Sequence, residues 1–371
     1  MIICSPQLGL APNSILGGEV FDRQILLGLA KRGIKVEIIL PKGKPHDKKI
    51  KNWNVTYLPM SKFPAFFGNF LIIPYLFAVY KRRQFSILRI HSPKFLGLGC
   101  IFFRLFNKKV KLVATYHKFE ESNFGPFSKS INNYWDHIIC DSQYVRDKLI
   151  AIYQIKLSKI IVVHNGVPNY LKATKKDPTL VKKLRLEDKT ALLFMGLFIE
   201  RKNPLFLIDV LVNLSKKRPD PVLIFWGSGP LRSKIIQTAK KLMVYDKIRL
   251  IDPIFGSEKN KIHNLCDIFV HPALDEGFAL APLEAMACAK PVVITRGYSA
   301  QEAVESGVNG FLCHSNDLDQ WSNKISELAN NPKLRIKMGK SSLMKVKKEF
   351  QWKFAVTIHE EVFKNLQYAG S

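Results

Sequence analysis

"DIFVHPALDEGFALAPLEAMACAKPVVIT", residues 267–295, holds two apolar runs separated by a helix-like stretch. The first run ends at His271-Pro272, a loop carries Asp275-Glu276-Gly277-Phe278, and a helix is expected to about Ala289. A second run follows Pro291. That is the pattern of a parallel βαβ unit. Pro282 fits the first turn of the helix, where no intrahelical N–H is needed. Glu276 is thereby placed at the carboxyl end of a strand and Glu284 in the first turn of the next helix. Ionised side chains in so apolar a stretch are costly to bury unless paired, so the two acids need a reason.

The same rhythm extends in both directions. Residues 35–40, 86–91, 111–117, 137–142 and 159–166 read as strands of a first half, and 191–196, 221–227, 248–252, 267–272, 291–295 and 309–313 as strands of a second. A charged stretch, "YLKATKKDPTLVKKLRLEDK", lies between the halves as a linker. The expected fold is α/β: two doubly wound, Rossmann-like domains, residues 1–172 and 173–351, facing a central cleft. Open sheets of this kind bind ligands at the carboxyl ends of their strands, where strand order reverses.

Three further motifs follow strands. Gly17 and Gly18 open an amphipathic helix ending near Gly33, where unpaired N–H groups and the helix dipole favour an anion; an ordinary loop entering a helix reads the same way. Arg201 and Lys202, in "FMGLFIERKNP", suit a phosphate, or are two basic residues among many. Gly227 and Gly229, in "WGSGP", let a flat or anionic ligand come close, and a tight strand–helix turn explains them equally.

A carboxylate offers two acceptors, which suits the vicinal hydroxyls of a sugar or a ribose. The plainer readings are a dipole-favoured acid for Glu284 and a solvated loop acid for Glu276. No Ser, Thr or Asp lies three residues before Glu284, so no capping box accounts for it. A pair acting on one glycosidic bond is not the default either; here one acid is expected to face a transferred sugar and the other a ribose.

Composition sets the outer limits. The chain has 371 residues, enough for two domains, with 47% hydrophobic and 23% charged residues, a normal globular balance. Six cysteines without a C-x-x-C pair or a close His/Cys cluster argue against a zinc site or a disulfide framework and fit a reducing compartment. The start, "MIICSPQLGLAPNS", lacks the basic region of a cleavable leader. Net charge is +27, and residues 48–119 carry fourteen basic residues and no acidic one. Such a field attracts an anionic partner, nucleic acid or a lipid surface. Within it lie eighteen uncharged residues, 63–80, interrupted by Pro64, Gly68, Asn69 and Pro74, which makes a spanning helix a weak reading. A helix buried in the first domain and an aromatic segment dipping into a membrane interface both stand, and they are not exclusive.

"EGFALAPLEAMACAKPVV" resembles the E-G-F-x6-E-A-M-A signature of retaining GT-B glycosyltransferases, glycosyltransferase family 4 (glycosyl transferases group 1). Companions run through nearly the whole chain in the right order: "GGE" at 17–19, "ATYHK" at 114–118, "IICDSQYVRDKL" at 138–149, "VVHNGVP" at 162–168, "RKN" at 201–203, "GSGP" at 227–230, "AQEAVESGVNGFL" at 300–312 and "QWKFA" at 351–355. The resemblance implies a nucleotide-sugar co-substrate, with a UDP-sugar the expected one, retention at the anomeric carbon, no further cofactor and no required metal. It implies that Glu276 hydrogen-bonds the donor sugar and Glu284 the ribose. Backbone groups of Phe278, Ala279 and Leu280 would meet sugar and diphosphate, aided by Arg201, Lys202 and the Gly17-Gly18 helix start. His117 would lie near the reacting end of the sugar, making Glu276, His117 and Lys202 the catalytic set. Glu302 matches an acid of the pattern with no role assigned. In this family the last helix returns to the first domain, which assigns 352–371 there. The first domain would bind the acceptor and the second the donor.

Three positions depart from the pattern. An arginine expected five residues before the lysine is Leu197, and two expected glycines are Ala279 and Ala289. The reading is a hexosyltransferase acting on lipopolysaccharide or another cell-envelope saccharide. It would work in the cytoplasm at the inner face of the cytoplasmic membrane, with region 48–119 toward anionic lipid. The alternatives are a small soluble acceptor and a catalytically degenerate member. A nucleic-acid-binding protein is disfavoured, since no such module is present and acids in the cleft would repel phosphates.

Overall fold

The structure, a computed structural model, describes residues 1–14, 16–59, 67–217, 220–274, 276–297 and 299–368. The chain divides into two units: residues 1–166 with the segment from 352 onward, and residues 167–351.

The first unit holds a seven-stranded sheet: β1 (Ile2–Pro6), β2 (Lys35–Pro41), β3 (Trp53–Leu58), β4 (Ile87–His91), β5 (Lys111–Tyr116), β6 (His137–Cys140) and β7 (Ile160–Val162), in the order β3-β2-β1-β4-β5-β6-β7. The second unit holds six strands: β8 (Thr190–Met195), β9 (Pro221–Trp226), β10 (Ile248–Ile251), β11 (Ile268–His271), β12 (Val292–Thr295) and β13 (Gly310–Cys313), in the order β10-β9-β8-β11-β12-β13. Among the described residues the strands pair in parallel in both sheets, as in β11 beside β12 with Phe269 opposite Val292. Strand order reverses between β1 and β4 in one sheet and between β8 and β11 in the other. Both doubly wound sheets of the expected fold are therefore present.

Neighbouring residues on each strand serve opposite faces, so both faces bury apolar side chains and the strands read as continuous apolar runs. Ile3, Ile87 and Val113 join the core under helices Gly17–Lys31 and Trp352–Tyr368, whereas Cys4, Leu88 and Leu112 join the core under Gly68–Arg83 and Pro93–Phe106. The C-terminal helix packs on the helix Gly17–Lys31 so closely that a Cβ on Gly28 would stand 2.3 Å from Val356. Arg32 reaches back to Glu360 at 2.9 Å.

The second unit begins at Val167, ahead of the expected boundary after 172. Leu171 enters its core, and the Lys172 and Thr174 amides donate to Asn260 and Asn264. Two strands went unread. β1, "IICSP", has only three apolar residues before Ser5 and Pro6; β3, "WNVTYL", buries Trp53 and Leu58 at its ends and leaves the four residues between them half-buried or exposed. The helix Gly68–Arg83 runs through Pro74 without a break, so Pro74 does not interrupt the uncharged segment; residues 63–66 of that segment lie outside the described ones. One face, with Ile72, Leu76 and Val79, is buried. No described helix is long and apolar enough to cross a membrane.

Candidate active site

In the second unit the candidate side chains Arg201, Lys202 and Glu276 lie in the loops that follow the two strands flanking the reversal, β8 and β11. The chain leaves β8 through a single 3-10 turn, Glu200–Lys202, that presents Arg201 and Lys202. The Leu274 amide donates to the Arg201 carbonyl at 2.8 Å, locking this turn to the loop after β11. Glu276 sits in that loop. Its Oε1 accepts from Lys202 Nζ and lies 3.0 Å from Arg201 Nη1 and 3.8 Å from His271 Nε2. Burial alone would raise the Glu276 pKa, but Lys202, His271 and Arg201 hold it far below the carboxylate range, so it is ionised. The basic neighbours at 201 and 202 are thus the partners that this acid needs. Leu197 leaves a cation missing from the pattern, and Arg201 brings one to the same carboxylate.

Glu284 is placed differently from the expectation. The helix spans Leu280–Ala287, so Glu284 is its fifth residue and lies beyond the first turn, where the dipole is not its support. It is buried, and its oxygens lie 2.7 and 2.5 Å from Lys259 Nζ and 3.3 Å from His263 Nε2. Burial opposes ionisation here too; Lys259 and His263 outweigh it and bring the Glu284 pKa to about 2. Lys259 and His263 are one helical turn apart on Glu258–Leu265, and the lysine also stands 5.4 Å over the Trp226 ring. Sequence reading missed Lys259, His263 and His271. The i, i+4 spacing of Lys259 and His263 was the available signal, but nothing in it pointed to Glu284.

Gly227 and Gly229 have φ of 149° and 152°, and Cβ atoms there would meet the Gly196 carbonyl at 1.9 Å and the Phe198 carbonyl at 2.6 Å. The room they leave is filled by the loop after β8, tied on by Phe198 N to Ser228 O at 2.9 Å. Their immediate role is to let two loops meet at the strand ends. The Phe278 side chain is buried against Phe350, 5.7 Å between ring centres. Ala279 caps the helix at φ −77°, a conformation open to any residue, so its methyl brings no backbone strain. Among the described residues no side chain caps this helix, and the N–H groups at Leu280 and Ala281 open its first turn. An open pocket adjoins it, lined by His271, Glu276, Ala279, Pro282, Thr295 and Ser299.

In the first unit Gly18 is glycine for a packing reason: a Cβ would lie 3.0 Å from the His117 ring. Gly17 begins the helix, with Leu16 as a cap that makes no side-chain hydrogen bond. His117 follows β5, with Nε2 3.7 Å from Asp22 and Nδ1 3.5 Å from Asp141, and its backbone N–H donates to Glu121 at 2.9 Å. Burial would lower its pKa, yet Asp141 and Asp22 raise it to about 10. Asp22 is fully buried between Arg89, His91 and His117. Asp22, His91 and His117 bring ligand-type atoms within 4.8 Å of one another, and Arg89 supplies the carboxylate's counter-charge from within the chain.

Residues 16–169 match the family described as Glycosyltransferase Family 4, and residues 176–343 match Glycosyl transferases group 1. An uncharacterized glycosyltransferase of Methanocaldococcus jannaschii is 29% identical over 284 residues, 75% of each chain. Among solved structures, sucrose-phosphate synthase from Thermosynechococcus elongatus superposes over 100% of both chains with TM-score 0.82 at 19% identity. Anabaena HepE in complex with UDP-glucose covers 98% of this chain and 100% of its own with TM-score 0.79 at 17% identity. At such identities the two structures share the fold.

Proposed function

We propose that this chain, whose two halves match the Glycosyltransferase Family 4 and Glycosyl transferases group 1 families, is a glycosyltransferase that moves a hexosyl unit from a UDP-sugar to a saccharide or lipid-linked acceptor of the cell envelope, with retention of anomeric configuration. The observation that carries the donor site is the meeting of Arg201, Lys202 and Glu276 at the carboxyl ends of β8 and β11, with buried Glu284 one helix turn further on. The cations face the diphosphate, Glu276 the sugar hydroxyls and Glu284 the ribose. The binding of UDP-glucose by Anabaena HepE, a protein of the same fold, agrees with a nucleotide-sugar donor.

In the reaction the bond from the anomeric carbon to the diphosphate oxygen breaks. The acceptor oxygen bonds to that carbon on the same face, and its proton passes to the departing phosphate oxygen. Charge accumulates on the diphosphate, so Arg201, Lys202 and the N–H groups at Leu280 and Ala281 stabilise the step where it forms. With these cations in the chain, the step needs no metal. His117 offers a fixed donor and not a base, because both of its ring nitrogens face carboxylates.

Transfer to a lipid-linked acceptor brings the first unit to a membrane. Its helices Gly68–Arg83 and Pro93–Phe106 expose Phe70 (62%), Phe102 and Phe106 (66%), and exposed Lys81, Arg82, Lys108 and Lys109 flank them. Rings with a basic rim suit the interface of an anionic bilayer at the inner face of the cytoplasmic membrane.

The test is thermal shift and slow hydrolysis across UDP-, GDP-, ADP-, CMP- and dTDP-linked sugars. A ligand that binds only the folded protein raises its melting temperature by mass action. Stabilisation and sugar release are expected with UDP-sugars; silence across the panel overturns the donor site.

A further inference from the structure

The acid assigned to the sugar is also the counter-ion of the cations assigned to the diphosphate. Lys202 Nζ and Arg201 Nη1 both converge on one oxygen, Glu276 Oε1. Glu276 is mostly buried, with 15% of its side chain exposed, as is that of Lys202, so solvent screens this pairing little. The Leu274-to-Arg201 backbone bond holds the two loops together, which keeps carboxylate and cations within reach of each other. Any diphosphate arriving at Arg201 and Lys202 must therefore share them with an ionised carboxylate, a like charge a few ångströms away.

We propose that Glu276 is an internal competitor for Arg201 and Lys202, and that this competition makes the site select a sugar-loaded nucleoside diphosphate over the spent one. The inference rests on the donor-site reading above. When the loaded donor binds, the diphosphate draws the two cations away from Glu276, and the sugar's hydroxyls donate hydrogen bonds to the carboxylate in their place. A nucleoside diphosphate without the sugar takes the cations and offers Glu276 no donor, leaving a buried charge poorly compensated, a costly state. After transfer the Glu276 ion pair re-forms and drives the product out. His271 cannot substitute for the cations: it is buried, 3.8 Å away, and its pKa is lowered by that burial, so it is neutral.

Glu284 does not share this behaviour. Its partners, Lys259 and His263, are not the cations assigned to the diphosphate, so its pairing persists in either ligand state. It supplies the control.

The experiment is calorimetric titration of UDP and of a hydrolysis-resistant UDP-sugar analogue into wild type, Glu276→Gln and Glu284→Gln, each first shown by circular dichroism to be folded. If Glu276→Gln does not fold, Glu276→Ala takes its place. The expectation is that Glu276→Gln binds UDP several-fold more tightly than wild type while losing preference for the loaded analogue. Glu284→Gln should bind both less well. UDP binding by Glu276→Gln equal to or weaker than that of wild type, with wild type binding UDP measurably, overturns the competition and leaves the donor site standing. Failure of UDP, GDP and ADP alike to bind wild type or either variant overturns both.

Discussion

Glu284 shows how a single buried charge is made tolerable. Removing one partner of a buried ion pair strands the other and typically costs about 3–5 kcal/mol. Lys259→Met should therefore destabilise the second unit by roughly 3 kcal/mol. Chemical denaturation of the variant checks this; a loss under about 1 kcal/mol would place the pair among weak surface bridges. The same pair sets an acid dependence. The Glu284 pKa in the folded protein, about 2, lies below its ordinary value of 4.5, so its stabilising contribution is complete above pH 4.5 and is lost as pH falls toward 2. In Glu284→Gln, melting temperature should fall less steeply than wild type across that window.

Ala279 and Ala289 look alike in sequence, each standing where the family pattern has glycine, and the backbone separates them. Ala279 at φ −77° is relaxed. Ala289 at φ 56° lies in the left-handed region, at the turn leaving the helix Leu280–Ala287, where a Cβ is penalised. Ala289→Gly should stabilise the protein by up to about 1 kcal/mol, the strain relief exceeding the added freedom of the unfolded chain. A thermal melt unchanged or lowered would count against this.

At the scale of elements, the helices Gly68–Arg83 and Pro93–Phe106 pack on each other and turn their remaining aromatic residues outward. Phe77 and Phe106 lie 6.0 Å apart and Phe102 and Phe106 5.3 Å, which makes one patch. Phe102→Ser with Phe106→Ser should reduce flotation with anionic liposomes at fixed salt and leave hydrolysis of the donor unchanged. Equal flotation would assign the attraction to charge alone. The basic run counted from sequence overstates the surface charge by at least one, because Arg89 is fully buried on Asp22.

At the scale of the whole molecule, each unit closes its own core on both faces of its own sheet. Residues 167–351 expressed alone should melt cooperatively. Removing the C-terminal helix from residue 352 should unfold the first unit, because it uncovers the face holding Phe21, Ile25 and Leu29, against which Val356 and Phe363 pack. Limited proteolysis of the truncated chain checks this: cleavage should concentrate within residues 1–166.

Strands β8, β9, β11, β12 and β13 were legible because a parallel strand buried on both faces is a continuous apolar run. Strand β3, at the sheet edge, buries only Trp53 and Leu58 and offers no continuous apolar run, and in β1 Ser5 and Pro6 cut the run to three residues. Once the strands and their following loops are known, the ends that carry Arg201, Lys202 and Glu276 are known as well, since a loop after a parallel strand emerges at its carboxyl end. Sequence by itself therefore determined the two doubly wound sheets and the side on which Arg201, Lys202 and Glu276 lie. Only the tertiary structure decided what each acid is paired with. Lys259 and Glu284 are separated by a strand and two loops, and Lys202 and Glu276 by more than seventy residues. The Lys202–Glu276 pairing follows from strand order in the sheet, where β8 lies beside β11, and no spacing along the chain records that neighbourhood.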